Sequence, residues 1–250
     1  MSNRWLTALP VFNERDYVDG VLDEVAKYAQ DILVIDDGST DGTADILSKR
    51  KDISTLTHAK NRGYGAALHS AFTYAVENQF DYIVTIDCDG QHEPQRIPRF
   101  FKANESADVD IVSGSRYLKQ YPGDSEPPAQ RRWINQLITG ELNECLGLDL
   151  TDAFCGFKSY RVESLKRLEL TEEGYAMPLE LWVQAARVGI NVIELPVPLI
   201  YLDADRSFGG TLDDGTKRLT YYRSVIKAAM KKAGMECKSR PVFDPECANR

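Results

Sequence analysis

Short apolar runs and helical patterns alternate along the first half of the chain, and each run stops at a polar cluster. Trp5–Leu9, Ile32–Ile35, Ser54–Thr57, Tyr82–Ile86 and Ile111–Val112 read as strands. Between them Val18, Leu22, Val25 and Ala26 keep helical spacing, Ala44 to Leu47 opens a second helix, and Ala66 to Val76 forms a third. Strands that alternate with helices predict βαβ units, hence an α/β fold with a central, mostly parallel sheet flanked by helices. Right-handed crossovers put the carboxyl ends of such strands on one edge, where open α/β sheets bind their ligands. That edge collects Pro10–Glu14, Asp36–Thr40, Asp87–Gln91 and Gly114–Arg116. The 250 residues, 43% of them hydrophobic, suffice for one domain with a full core.

The chemistry of these clusters differs. Asp87 and Asp89, one residue apart after a buried run, can both aim oxygens at one hard cation, with the Gln91 side-chain oxygen as a third ligand. Such an incomplete oxygen set suits Mg²⁺ or Mn²⁺ bridging phosphates better than a closed protein cage, although a polar turn after a strand has the same composition. In Asp36–Thr43, Asp37 at a strand end can accept from a nucleobase N–H or a ribose hydroxyl. Gly38 permits close backbone approach, and Asp41 or Thr40 suits a helix cap. Asn61–Ala67 is a Gly-rich start of a helix whose N–H groups could face phosphate, without the spacing of a P-loop or dinucleotide fingerprint. Arg116 ends a strand with a planar fork suited to phosphate oxygens, or else forms a surface salt bridge.

A net charge of −8 and a pI near 5.0 argue against a nucleic-acid surface, while leaving room for a few arginines at a nucleotide. Five cysteines without C-x-x-C spacing imply neither a zinc site nor a disulfide framework, and free thiols in a reducing cytoplasm are expected. No signal-peptide core precedes the first strand, and no stretch approaches the roughly 18 apolar residues of a membrane span, so membrane contact is expected to be peripheral. Trp182–Val188 with Gly189 reads as a helix and its stop, and Ile190–Leu195 as a strand. From Asp213 on, Leu219, Tyr222, Val225, Ile226, Ala229 and Met230 keep helical spacing among Lys217, Arg218, Arg223, Lys227, Lys231 and Lys232. A helix of this kind packs on a core with its basic face in water, or lies on anionic lipid. Residues 1–212 are thus expected to form the α/β domain, and 213–250 an amphipathic helix with a loosely ordered tail.

Taken in order, Ala8–Glu14, Asp36–Thr43, Asn61–Gly65, Asp87–His92 and Gly114–Tyr117 resemble the inverting glycosyltransferases of family 2, which have the GT-A fold, a single Rossmann-like nucleotide-binding domain. Thr151–Arg161 is similar to the D-x-x-x-G-F-[RK]-x-Y-[RK] segment of the dolichol-phosphate and polyprenyl-phosphate mannosyltransferase branch. The resemblance spans roughly residues 5 to 210. It implies that Pro10, Phe12, Glu14 and Asp37 cup the nucleotide, that Asp87, Asp89 and Gln91 hold Mg²⁺ or Mn²⁺ on the diphosphate, and that Arg116 reaches the phosphates. Arg206 keeps the spacing of the family's R-x-x-G element, but the Lys usually found six residues later is Leu212 here, so one cation expected near the diphosphate is missing, with Lys217 the nearest downstream substitute. The branch meets its acceptor phosphate with an Arg followed four residues later by Ser; here Arg131 is followed by Asn135.

The activity implied is metal-dependent transfer of a sugar from a UDP- or GDP-sugar to a polyprenyl or dolichyl phosphate, or to a glycan hydroxyl in polysaccharide synthesis. A lipid phosphate arrives already anionic; a hydroxyl acceptor needs a base, for which Asp152 and Glu180 are the candidates. Each also has a plain structural alternative, a cap or turn for Asp152 and a partner for an Arg on a helix face for Glu180. A sugar-nucleotidyltransferase would share the acidic pair and the sheet, but residues 8–16 contain neither Gly nor Lys for its phosphate-binding segment. A nucleotide-sugar binding module without turnover is the third possibility, raised by Leu212.

Overall fold

The computed structural model describes residues 3–105, 108–202 and 210–237. Seven strands form one sheet: β1 (Trp5–Val11), β2 (Asp31–Asp36), β3 (Ser54–Thr57), β4 (Tyr82–Thr85), β5 (Ile111–Ser115), β6 (Lys158–Arg161) and β7 (Val192–Pro196). Their order is β3-β2-β1-β4-β6-β5-β7. Every pairing is parallel except those of β6, which runs against both β4 and β5. The helices are α1 (Val18–Val25), α2 (Thr43–Leu47), α3 (Tyr64–Glu77), α4 (Ile97–Asn104), α5 (Ala129–Leu146), α6 (Val162–Leu165), α7 (Met177–Val188) and α8 (Gly215–Lys232).

Side chains alternate across a strand, so a sheet covered on both faces needs apolar residues at both parities. The strands supply them. Leu6, Ala8, Leu33, Ile35, Ile83 and Ile111 enter a core with α3, α5, α7 and α8, while Leu9, Val11, Ile32, Val34, Val84 and Val112 enter a second core with α1, α2 and α4. The expected single α/β domain with its mostly parallel sheet is therefore present. Because β1, β2, β4 and β5 run the same way, all four polar clusters reach one edge.

The sequence pattern did not reveal β6. Lys-Ser-Tyr-Arg carries no apolar run, yet Lys158, Ser159 and Tyr160 are buried between two neighbouring strands. Tyr160 packs edge-on to Phe72, with ring centroids 5.0 Å apart. Lys158 donates to the Cys155 carbonyl and lies 5.4 Å from the Trp182 ring centre.

The α8 helix is core-facing. Tyr222, Ile226, Ala229 and Met230 join the first core, while Lys217, Lys227, Lys231 and Lys232 are exposed and Arg223 pairs with Glu141 of α5. Among the described residues no helix is long and apolar enough to cross a membrane. The thiol expectation needs correction: Cys145 at the end of α5 and Cys237 beyond α8 form a disulfide, 92 residues apart in sequence. Distant partners leave no local spacing to read. Cys88 and Cys155 are buried thiols, while Cys247 and the rest of the expected tail from 238 lie outside the described residues. A bridge closing so long a loop restricts the unfolded chain, so Cys237→Ser should lower stability by about 2–4 kcal/mol in a denaturant titration. Wild-type protein in reductant should move by a similar amount and the variant should not.

Candidate active site

The shared edge of β1, β2, β4 and β5 forms one wall of a cavity of about 540 Å³, closed on the other side by α5, α7 and α8. Pro10, Phe12, Glu14, Asp37, Asp87, Asp89, Gln91, Arg116 and Arg131 all line it. Asp152 does not line it, and Arg206 lies outside the described residues.

Asp37 is 3% exposed and already engaged: Oδ1 accepts from Arg62 N at 2.9 Å, Oδ2 accepts from Gly63 N at 2.7 Å, and His58 Nδ1 lies 2.6 Å from Oδ1. Three bonds leave a carboxylate about one lone pair for a ligand. These contacts correct the phosphate reading of Asn61–Ala67, because the N–H groups of Arg62 and Gly63 serve Asp37. Its glycines answer to packing as well. A Cβ on Gly63 would lie 2.4 Å from the Glu173 carbonyl oxygen, and one on Gly65 would lie 2.3 Å from that of Glu172. Gly38, at φ +77°, does give close approach, with the Lys60 and Asn61 backbone as the neighbour. Asp41 accepts from Thr43 N at 3.0 Å at the start of α2, as a cap would.

Asp87 hangs from the end of β4. Tyr64 donates its hydroxyl to Oδ1 at 3.0 Å, and His92 Nε2 lies 3.2 Å from Oδ2. Burial alone would raise the Asp87 pKa, but the His92 contact and charge with the Tyr64 hydrogen bond bring it below the ordinary value, so the group is ionised at neutral pH. Burial above all, then the Asp87 charge, pushes the Tyr64 phenol well up, keeping it a donor. A Cβ on Gly156 would come within 2.1 Å of Asp87 Oδ2, so only glycine leaves this carboxylate its place. Asp89 folds Oδ1 back onto Gln91 N at 3.0 Å, which shapes the turn presenting all three oxygen-bearing side chains to the cavity. Among the described residues no three His, Cys, Asp or Glu converge on one point. Tyr64 and His92 were visible in the sequence only as members of motifs, without an indication that both hold Asp87.

The expectation that Asp152 acts as a base is corrected by its surroundings. It is fully buried and takes Arg116 Nε at 2.7 Å and Nη2 at 3.0 Å, Asn135 Nδ2 at 2.8 Å and Phe154 N at 3.1 Å. Burial raises its pKa, yet the Arg116 charge and these hydrogen bonds overcome that and hold it down at about 2. A carboxylate so satisfied is a poor proton acceptor and instead fixes the Arg116 fork, whose Nη1 carries no hydrogen bond among the described residues. Asn135, the departure from the branch's Ser, spends its side chain on this anchor, accepting from Thr139 Oγ1 at 3.0 Å. Glu180 is also off the cavity, accepting from the Thr171 and Glu172 backbone N–H groups at 2.7 Å each. Two cavity residues from α8, Arg218 and Tyr222, were read in the sequence only as members of an amphipathic helix.

The depressed Asp152 pKa fixes a pH dependence. Its contribution to stability is complete above its ordinary value of 3.8 and is lost as pH falls through about 2. Asp152→Asn, which leaves the part-buried Arg116 without its counter-charge, should cost about 1.5–3 kcal/mol near neutrality. Thermal melts should show the gap between wild type and variant closing as pH is lowered from 5 towards 2.

The sequence pattern of Glycosyl transferase family 2 matches residues 7–169. An undecaprenyl-phosphate mannosyltransferase of Micrococcus luteus is 30% identical over 230 residues, 87% of this chain and 93% of that protein. A polyprenol monophosphomannose synthase of Mycolicibacterium smegmatis is 28% identical over 208 residues, 78% of this chain and 77% of that protein. Among solved structures, a glucosyl-3-phosphoglycerate synthase of Mycobacterium tuberculosis bound to uridine diphosphate superposes with a TM-score of 0.67, covering 95% of this chain and 82% of the other at 19% identity. The same enzyme with Mn²⁺, uridine diphosphate and glucosyl-3-phosphoglycerate also gives 0.67. That likeness is one of fold, and together with the family match over most of the chain it makes this protein a member of glycosyltransferase family 2 with a GT-A fold.

Proposed function

We propose that the protein moves a sugar, with inversion at its anomeric carbon, from a UDP- or GDP-sugar to a polyprenyl phosphate. The observation that carries this reading is the division of one cavity. Its carboxylates, Glu14, Asp37, Asp87 and Asp89, come from β1, β2 and β4, whereas its arginines, Arg116, Arg131 and Arg218, come from the end of β5 and from α5 and α8. The names of the Micrococcus and Mycolicibacterium relatives support the lipid-phosphate acceptor.

Asp87, Asp89 and Gln91 are the residues that would hold a divalent cation, and their hard oxygens fit Mg²⁺ or Mn²⁺. When bound, the cation would supply positive charge where the departing nucleoside diphosphate accumulates negative charge. Pro10 and Phe12 offer apolar contact to the nucleotide, and Asp37 accepts a base N–H with its remaining lone pair. Arg116, clamped by Asp152, keeps its charge in place as the C1–O bond breaks, the kind of preorganised stabilisation that works only in the transition state. Arg131 receives the acceptor phosphate, one of whose oxygens attacks C1 from the opposite face. That oxygen carries no proton to remove. The withdrawal of Asp152 and Glu180 from the cavity favours this acceptor over a hydroxyl, as neither carboxylate considered as a base is in reach. A reversible stay at the membrane surface, with the exposed lysines of α8 near anionic lipid, goes with such an acceptor.

Incubation with a panel of labelled nucleotide-sugars and a polyprenyl phosphate tests the reading. Label should enter the lipid phase only with Mg²⁺ or Mn²⁺ present, and Asp89→Ala should slow transfer roughly 100- to 1,000-fold while the fold stays intact. Pyrophosphate release would indicate a nucleotidyltransferase, binding without transfer a module, and label on a water-soluble glycan a hydroxyl acceptor. Uridine or guanosine diphosphate should also compete better than adenosine diphosphate, because adenine offers Asp37 no ring N–H. Preference for adenosine diphosphate would contradict the role of Asp37.

A further inference from the structure

Three donors converge on Asp37 from inside the protein, and they are unevenly divided between its two oxygens. On Oδ1, Arg62 N donates at 2.9 Å and His58 Nδ1 at 2.6 Å; on Oδ2, Gly63 N donates at 2.7 Å. An Nδ1 without its hydrogen would set a lone pair against the carboxylate, so His58 is a donor here whether or not its ring is charged. An ionised carboxylate has about two lone pairs on each oxygen. Oδ1 is therefore full, and Oδ2 keeps one lone pair for a ligand.

None of these donors is free to swing away. His58 is 7% exposed, its backbone N–H donates to the Asp36 carbonyl at 2.9 Å, and its Nε2 lies 2.8 Å from Ser70 Oγ of α3. The Arg62–Gly63 turn is held from the other side. A Cβ on Gly63 would meet the Glu173 carbonyl oxygen at 2.4 Å, and the Arg62 guanidinium pairs with the Glu173 carboxylate at 2.7 Å. A base that reaches Asp37 must fit the acceptor that is left. Uracil presents one ring N–H between two carbonyl oxygens. Guanine presents its ring N–H with an amino N–H beside it, parallel donors that suit a carboxylate with both oxygens open. Against Asp37 the amino group finds Oδ1 already taken, and a buried donor left without an acceptor costs its full desolvation.

We infer that His58 is a positioning residue that makes this a uridine site: by filling Oδ1 it leaves Asp37 able to accept a single N–H, so the donor is a UDP-sugar and a GDP-sugar is turned away. This rests on the nucleotide-sugar reading above and narrows its two donors to one. Calorimetric titration with each diphosphate and Mn²⁺ tests it. The wild type should bind uridine diphosphate roughly 10- to 100-fold more tightly than guanosine diphosphate. His58→Phe, which keeps a flat ring but removes the donor, should reopen Oδ1 and bring the two affinities within about threefold. His58→Asn, whose side-chain N–H can stand where Nδ1 stood, should restore the gap. A merely structural role for His58 would weaken both diphosphates alike and leave their ratio unmoved. That outcome, or a wild type that binds guanosine diphosphate as tightly as uridine diphosphate, would overturn the inference.

Should His58→Phe fail to fold, a crystal of the unsubstituted protein with uridine diphosphate and Mn²⁺ decides. Uracil N3 should lie within hydrogen-bond distance of Asp37 Oδ2 with His58 still on Oδ1; a base held by Glu14 instead would overturn the role of His58. Transfer assays separate this inference from its parent. If neither UDP- nor GDP-sugars give transfer to polyprenyl phosphate while the uridine preference holds, the activity is wrong and the base assignment stands. Transfer from a GDP-sugar in preference to a UDP-sugar keeps the activity and removes the role of His58.

Discussion

The ion pair between part-buried Arg116 and fully buried Asp152 is the interaction on which the rest of the site depends. Neither charge is cheap to bury, and such a pair persists where hydrogen bonds satisfy what the partner does not. Here Asn135 of α5 and the Phe154 N–H complete Asp152, while Glu194 of β7 accepts from Thr151 N at 2.9 Å and Asp152 N at 3.1 Å. Burial raises the Glu194 pKa, and the Thr151 hydrogen bonds oppose it. Two carboxylates, Asp152 and Glu194, thereby join the end of β5, the approach to β6, α5 and the edge strand β7. The same segment carries Gly156, which leaves room for Asp87, and Lys158, which buries a third charge. Burial lowers the Lys158 pKa, while Cys155, Asp152 and Asp87 raise it. The cation expected at Asp87 and the arginine expected at the phosphates are thus positioned by one stretch of chain.

Much of this was legible before any coordinates. Apolar alternation in Leu6 to Val11 and Ile32 to Ile35 leaves few folds other than a doubly covered sheet. Polar clusters closing four strands then had to meet once those strands ran parallel. What stayed hidden depends on contacts distant in sequence. β6 is a strand made of Lys, Ser, Tyr and Arg, stabilised by its neighbours on both sides rather than by its own composition. The partner of Asp152 lies 36 residues away, and that of Cys145 lies 92 away, beyond any local spacing rule. The glycines of Asn61–Gly65 left a phosphate contact open, though without P-loop spacing, because close approach to a ligand and close approach to backbone demand the same residue.

The net charge of −8 is compatible with a phosphate-handling site because field depends on placement. Carboxylates gather at the ends of β1, β2 and β4, where a divalent cation would neutralise them, and arginines gather across the cavity on β5, α5 and α8. Membership of family 2 accounts for the first group through motifs shared along the chain.

The central claim is that a nucleoside diphosphate binds at this edge through a cation held by Asp87 and Asp89. A crystal structure with uridine or guanosine diphosphate and Mn²⁺, using anomalous scattering to locate the metal, tests it most directly. The expected result is one Mn²⁺ bonded to side-chain oxygen from this pair and to the diphosphate, with the base against Asp37. A nucleotide bound elsewhere, or bound in this cavity with the metal on other residues, would contradict it.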